Sequence, residues 1–414
     1  MPAPDALGSD PAAVSGGDLL ASLLDAELRH RRDAHLFRHR RPLAVVGPVH
    51  VEIAGRRFVN FASNNYLGLT HHPRVIDAVA DAVRRHGAGA GASALITGYS
   101  ADHAAAEEAL ARWKGTGSAI LLPSGYQAAH AIVQTFAQLG EAHPGGVRFL
   151  LDKLTHASLI DAVRGAGAPF RVFPHNHLGK LERLLAESAG ALDVVITESI
   201  FSMDGDAADL AGLADLKRRR PFCLVLDEAH GSGVYGVNGG GYANERNLQS
   251  AVDVSLITLS KALGLAGGAA CASRAFCEAL VNLGRAYIFS TAVPPGAAAG
   301  VCAALDVLRA EPERQARVRA VATRFRAALG LAGDAPIIPV ILGTAEAALA
   351  SAARLEEAGF LVVAVRPPTV APGTSRLRIT LSAEHTDADV DALARAVIAL
   401  RSAANPTAAN LPVA

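Results

Sequence analysis

Phe222-Cys223-Leu224-Val225-Leu226-Asp227-Glu228-Ala229-His230 is a short apolar run that breaks off in two acids and a histidine. Consecutive apolar residues without alternation describe a strand buried on both faces. The same signature recurs at Ala119–Leu122, Val147–Leu151, Phe170–Phe173, Asp193–Thr197 and Val254–Leu259, with helical stretches between. Strands of that kind alternating with helices predict an α/β fold, a mostly parallel central sheet flanked by helices. In such a sheet the ligand crevice lies beyond the carboxyl ends of the strands. Asp227 to His230 therefore stand where chemistry is done.

Outward from this centre, the pattern holds over 63–295 and marks a large domain. After Pro294-Pro295 it changes to two helical stretches and then strands at Pro336–Leu342, Leu361–Val365 and Leu377–Leu381, predicting a smaller C-terminal α+β domain over 296–402. Before it, 18–62 reads as a helix capped by Asp18, with Leu20, Leu23, Leu24 and Leu28 on one face, then one or two short strands in Val51–Phe61. Residues 1–17 are rich in Pro, Gly, Ala and Ser and lack the apolar centre of a signal peptide, so they read as a loose extension, as does the tail 403–414.

Composition removes several classes of function. The 39 basic residues balance 39 acidic ones, so no global field draws the chain to nucleic acid or an anionic membrane. Half the residues are hydrophobic, which argues against disorder. No run of 18 apolar residues escapes a Gly or a charge, so no membrane span is expected. Cys223, Cys271, Cys277 and Cys302 show no metal-ligand spacing and read as free thiols of a cytoplasmic protein.

Three polar constellations close predicted strands: Asp227 to His230, Thr258-Leu259-Ser260-Lys261, and Ser124-Gly125-Tyr126 at a helix start. The acid-rich tetrad also suits a helicase-type NTPase, but that needs G-x-x-x-x-G-K-[ST], and the one Gly-Lys pair, Gly179-Lys180, lacks the upstream glycine. Of 39 basic residues only five are lysine: Lys114, Lys153, Lys180, Lys217 and Lys261. Lys114, Lys180 and Lys217 lie in or beside polar helical stretches and read as solvated. Lys261 follows a buried strand and precedes Ala262–Gly268, almost without other charge. On setting alone it is either a structural salt bridge or an amine whose lowered pKa suits a Schiff base. Pyridoxal phosphate needs a lysine, a carboxylate for its ring nitrogen and a helix N-terminus for its phosphate. Lys261, Asp227 and Ser124-Gly125-Tyr126 supply them, and His230 reaches the phenolic oxygen if the chain turns at Gly231 and Gly233.

Asn64-Asn65-Tyr66-Leu67-Gly68-Leu69, Thr155-His156-Ala157-Ser158, Phe201-Ser202-Met203-Asp204-Gly205-Asp206, Asp227–Gly231 and Thr258–Lys261 occur in this order. The series resembles the α-oxoamine synthases, fold-type-I pyridoxal-phosphate transferases that join an amino acid to an acyl thioester and release CO2. Arg366-Pro367-Pro368-Thr369-Val370, Gly373–Arg378 and Phe289–Pro295 are most similar to the branch that condenses L-alanine with a pimeloyl thioester for biotin.

The resemblance implies Lys261 as the imine lysine and general base, Asp227 as partner of the ring nitrogen, and His156 stacked on the ring and beside the substrate. It gives Ser202 and His230 the phenolic oxygen, and Thr258, with Ser124, Gly125 and Tyr126, the phosphate end. Arg378, with Asn64 nearby, would hold the amino-acid carboxylate, while Thr369 and Arg38 match positions that touch substrate. The partner would be an acyl-CoA or acyl carrier protein, and the assembly a homodimer with its active site at the interface. Departures are Asn65, where Asp is common, the alanines in Gly89–Ser93, and extra residues in Leu139–Val147. Arg376 shares a strand face with Arg378, and one of the two is expected to be structural. The Arg29–Arg41 run reads as a solvated helix end or a grip on carrier phosphates, and His71-His72 and His175–His177 as surface residues. Siblings using glycine or serine, an aminotransferase or decarboxylase, and a non-catalytic binding fold are the competing readings.

Overall fold

The computed structural model describes residues 16–188 and 190–404. Residues 1–15 of the expected N-terminal extension and 405–414 of the tail lie outside them. The chain opens with a helix, Gly16–Asp33, whose Leu20, Leu23 and Leu24 are exposed. Three short strands follow: β1 (Ala44–Gly47), β2 (His50–Ile53) and β3 (Arg56–Asn60).

The central sheet is built from β4 (Ser118–Leu122), β5 (Val147–Asp152), β6 (Phe170–Phe173), β7 (Leu192–Glu198), β8 (Cys223–Asp227), β9 (Val254–Thr258) and β10 (Gly268–Ala272). Their order is β4-β10-β9-β8-β7-β5-β6. Only β10 runs against the others. Val194, Ile196 and Val225 pack into one core and Val195, Leu224 and Leu226 into the core on the opposite face. All are almost completely buried. Burial of each such side chain stabilises by about 1.5–3 kcal/mol, which is why these runs are continuous rather than alternating.

β10 has no counterpart among the expected strands. Its Gly-Ala-Ala-Cys-Ala sequence carries none of the β-branched or aromatic residues that mark a strand. Crowding explains the small residues: a Cβ on Gly268 would lie 2.6 Å from the backbone nitrogen of Gly125. Large side chains are excluded where helix Gly125–Glu141 presses its first turn onto the sheet.

The C-terminal part holds β11 (Ile337–Gly343), β12 (Phe360–Leu361), β13 (Val363–Val365) and β14 (Ser375–Thr380). Antiparallel β11-β14-β13 packs against helices Pro312–Ala328, Ala345–Glu357 and Asp387–Ala404. β12 pairs in parallel with β3, so the N-terminal strands share a sheet with the C-terminal part. Phe61, just past β3, lies in the same core and stacks on His385 at 4.0 Å. The carboxyl ends of β4, β5, β7, β8 and β9 meet along one edge, with Glu198 in register with Asp227 and with Gly268 opposite both Leu122 and Thr258.

Candidate active site

Ser124 caps helix Gly125–Glu141, its Oγ accepting from the Gln127 backbone N–H at 3.1 Å. The first turn of a helix leaves N–H groups without intrahelical acceptors, and a 17-residue helix adds its dipole. Gly125 and Tyr126 present these groups beside Thr258, where a Cβ on Gly125 would sit 3.3 Å from the Thr258 Cβ. Thr258 is buried and its Oγ1 lies 2.9 Å from Ser260 Oγ. This corner is suited to an anion such as a phosphate. Only the backbone of Tyr126 serves it: the ring is exposed and its hydroxyl donates to Asp161.

One strand over, Lys261 Nζ lies 2.9 Å from His230 Nε2. Burial lowers the Lys261 amine to about 8, the carboxylates of Asp227 and Glu198 opposing that shift. Burial also holds His230 well below its ordinary value, aided by the charges of Lys261 and Arg378. Asp227 is 4% exposed, with Oδ1 accepting from the Ala229 N–H at 2.9 Å. Burial raises its carboxyl and the Lys261 cation pulls it back. Glu198 is more extreme: Oε2 accepts from the Ser202 N–H at 3.0 Å, Oε1 has no partner, and burial beside Asp227 raises it far above a usual carboxylate. His156 caps the helix Ala157–Ala166 through Nδ1, which accepts from the Ser158 N–H at 3.2 Å. Its ring is exposed in the cleft, and desolvation lowers its pKa while Asp227 opposes.

β14 approaches this edge from the smaller unit. Arg378 is 8% exposed and donates through Nε to the Ser202 carbonyl at 2.7 Å and through Nη1 to Asn64 Oδ1 at 3.1 Å and Thr380 Oγ1 at 3.0 Å. It has no carboxylate partner among the described residues. Arg376, two residues earlier on the same face, is ion-paired with Asp204. One arginine is thus committed to structure and the other is a buried cation open to an anion. Gly205 lets the intervening loop pass: at φ +69°, a Cβ there would lie 2.3 Å from the Ile337 carbonyl. Ser202 is buried and its backbone is held on both sides, by Glu198 and Arg378, while its hydroxyl has no hydrogen-bond partner among the described residues.

Lys261, His230, Asp227, His156, Ser202, Thr258, Arg378, Asn64 and the Ser124–Tyr126 turn therefore surround one cleft. Arg38 and Thr369 are exposed, and no hydrogen bond or ion pair ties either side chain to these residues among the described residues. They are near one another, because Arg366 donates to the carbonyls of His35 and Phe37 and Thr369 closes a turn on Arg366. Two residues lacking an assigned role in the sequence reading belong to the cluster. Glu198 lies one position past the apolar run Asp193–Thr197, so the strand-end rule reaches it. Tyr66 lies 2.5 Å through its hydroxyl from His230 Nδ1 and carries no sequence signal beyond its motif.

Three surface expectations are corrected. Lys114 is buried, donating to the Gly240 carbonyl at 2.6 Å and Ser232 Oγ at 3.2 Å. His72 is buried against Glu311 at 2.9 Å. His175 is half-buried, bridging the buried Asp152 at 3.0 Å and the partly exposed Asp206 at 2.7 Å, and both carboxylates raise its pKa. Each lost its expected solvent to a partner remote in sequence.

Residues 56–397 match the family described as Aminotransferase class I and II. An 8-amino-7-oxononanoate synthase of Methylorubrum populi is 45% identical over 372 residues, 89% of this chain and 92% of the relative. Among solved structures, the serine palmitoyltransferase of S. paucimobilis with a bound PLP–myriocin adduct superposes with a TM-score of 0.86 at 28% identity, covering 94% of this chain and 100% of that one. An 8-amino-7-oxononanoate synthase of Francisella tularensis superposes with a TM-score of 0.72 at 26% identity, covering 84% and 98%.

Proposed function

The chain belongs to the class I and II aminotransferase family, with the fold of the pyridoxal-phosphate transferases, and on that premise we propose that it condenses L-alanine with a pimeloyl thioester. A bond forms between the alanine Cα and the acyl carbon, the thioester C–S bond breaks, and the carboxylate leaves as CO2. The products are 8-amino-7-oxononanoate, a precursor of biotin, and the free thiol of coenzyme A or a carrier protein. The convergence of Lys261, Asp227 and a buried Arg378 without a carboxylate partner on one cleft carries the chemistry, and the relatives at 42–45% identity narrow it to this condensation.

The residues present fit pyridoxal 5'-phosphate: an amine of lowered pKa, a carboxylate with one oxygen unengaged, and the first-turn N–H groups of Gly125 and Tyr126 at a helix start beside Thr258. Lys261 would hold its aldehyde carbon, Asp227 its ring nitrogen, His156 its ring face, Ser202 and His230 its phenolic oxygen, and Thr258 with the backbone of Gly125 and Tyr126 its phosphate. When bound, it supplies the electron sink that makes loss of the Cα proton and of CO2 accessible. Arg378 grips the amino-acid carboxylate with a charge-assisted pair and so orients the bonds at Cα. The amine of Lys261, poised near neutrality, accepts the Cα proton and later returns one. His156 closes the opposite side of the cleft, where its exposed ring flanks the substrate. Arg38 and Thr369, joined through Arg366, are placed to meet the acyl carrier rather than the reacting carbon.

We infer a homodimer whose interface borders this cleft. Leu95, Ile96 and Phe289 are large apolar side chains exposed at 50, 75 and 71%. Their segments are joined by the Ser93–Thr291 bridge and tied to the helix start through Gln127 Nε2 donating to Ser290 Oγ at 2.7 Å. The four unpaired cysteines suit the cytoplasm.

The test is turnover with pimeloyl-CoA and alanine, glycine or serine in parallel, measuring free thiol and CO2. Alanine is expected to release both in equal amounts and faster than the others. Preference for glycine or serine would move the chain to a sibling reaction, and amino-group transfer without thiol release would overturn the condensation.

A further inference from the structure

A continuous hydrogen-bonded line runs behind the cleft. Arg378 Nη1 donates to Asn64 Oδ1 at 3.1 Å, Asn64 Oδ1 lies 3.3 Å from the Tyr66 hydroxyl, that hydroxyl lies 2.5 Å from His230 Nδ1, and His230 Nε2 lies 2.9 Å from Lys261 Nζ. Tyr66 is completely buried and His230 is 3% exposed, so water does not intervene. Asn64 of the same motif reaches Arg378, and the Tyr66 phenol lies between Asn64 and His230.

The phenol has one proton and two acceptors within reach. Asn64 Oδ1 already accepts from a guanidinium and is 0.8 Å farther away than His230 Nδ1. The imidazole is neutral, because it is buried among Lys261, Arg378 and His156. A neutral imidazole carries its proton on one nitrogen and accepts at the other, and a hydrogen bond at one nitrogen decides the assignment. We propose that Tyr66 is a positioning residue: its hydroxyl donates to Nδ1 of His230 and so holds the imidazole with its proton on Nε2, pointing at the Lys261 side. His230 is then a hydrogen-bond donor towards a neutral Lys261 nitrogen or towards the phenolic oxygen of a bound cofactor. The second role rests on the function proposed above; the first rests on the hydrogen-bond geometry and on the burial that keeps His230 neutral.

The tautomer is read directly by nitrogen-15 NMR of histidine-labelled protein, first without cofactor at a pH above 9, where the Lys261 amine is uncharged. His230→Gln identifies the resonance among the 15 histidines. The wild type is expected to show Nε2 protonated and Nδ1 bare, and Tyr66→Phe to shift towards a mixture of the two forms. A protonated Nδ1 in the wild type would overturn the proposal even if Tyr66→Phe did not fold. The second readout is the absorbance of the cofactor-loaded protein against pH. A donor at the phenolic oxygen competes with the proton shared between that oxygen and the Lys261 nitrogen, so weakening the donor strengthens that proton's hold. Tyr66→Phe should raise the midpoint by about half to one pH unit, the equivalent of one hydrogen bond. A midpoint unchanged in Tyr66→Phe but moved in His230→Gln would reduce Tyr66 to packing and overturn its positioning role. If the wild type bound no cofactor, the proposed function would fail, and the nitrogen shifts would still decide this inference.

Discussion

Asp227 and Glu228 are consecutive at the end of β8 and equally hidden, at 4 and 0% exposed, yet they serve opposite sides of the sheet. Glu228 is saturated: it accepts from the backbone N–H groups of Ala243 at 2.8 Å and Tyr242 at 3.0 Å, and from Ser199 Oγ at 3.2 Å. The buried ammonium of Lys114 lies close by, both groups crowding the same point beside Gly241. Gly241 is obligatory there, since at φ +111° a side chain would be strained as well as crowded. Among the described residues Asp227 has a single protein hydrogen bond, its register partner Glu198 has a bare oxygen, and Lys261 has a neutral histidine as its hydrogen-bond partner. Both sides set a lysine beside carboxylates. On one side the carboxylate and the ammonium each have several hydrogen-bond partners; on the other the groups are desolvated with few, and the pKa values of Glu198, Asp227, His230 and Lys261 are displaced. Buried polar groups left unsatisfied mark the places where a ligand completes the set.

The comparison breaks most sharply at the lysines. Lys261→Ala should reduce turnover by about 10²–10⁴-fold or more, the scale of losing a positioned proton-transfer group, with little change in Tm. Lys114→Met should do the reverse, lowering Tm while the surviving folded protein turns over normally. Next in size are the two arginines of β14. Arg378→Lys forfeits one charge-assisted hydrogen bond, about 1.5–3 kcal/mol, and should lower kcat/KM for the amino acid by about 10–150-fold. Arg376→Lys should leave that ratio alone and loosen the Asp204 contact instead.

A smaller effect follows from pH. Burial lowers the Lys261 amine to about 8, so its reactive free base forms as pH rises through that value. Cofactor capture by stripped protein should accelerate about tenfold from pH 6 to 7 and level off above pH 8. A rate that kept climbing to pH 10 would mean an ordinary, solvated lysine. Least affected on turnover is Glu228→Ala, which should cost about 1–3 kcal/mol of stability for each donor left orphaned, measured by denaturant unfolding.

Much of the catalytic side was legible in the sequence, because strand ends are recognisable and parallel sheets gather them on one edge. Asp227, Thr258 and Lys261 were found from position, and Glu198 was one residue from being found. The saturated side was not. Lys114 is the last residue of helix Ala101–Lys114, in a stretch read as polar, and its acceptors at Ser232 and Gly240 lie more than a hundred residues away. Alternation put Arg376 and Arg378 on one face but could not separate them; Asp204, 172 positions from Arg376, does. β10 was invisible because the helix pressed against it permits only small residues, which carry no strand signal.

The most direct test reads which lysine the cofactor chooses. Pyridoxal phosphate is bound to the protein, the linkage is reduced with borohydride, and the labelled peptide is located by mass spectrometry. Five lysines compete, including Lys114, which is as buried as a catalytic amine needs to be. The account predicts one stoichiometric label, on Lys261. A label on Lys114, or one spread over the solvated lysines, would contradict it.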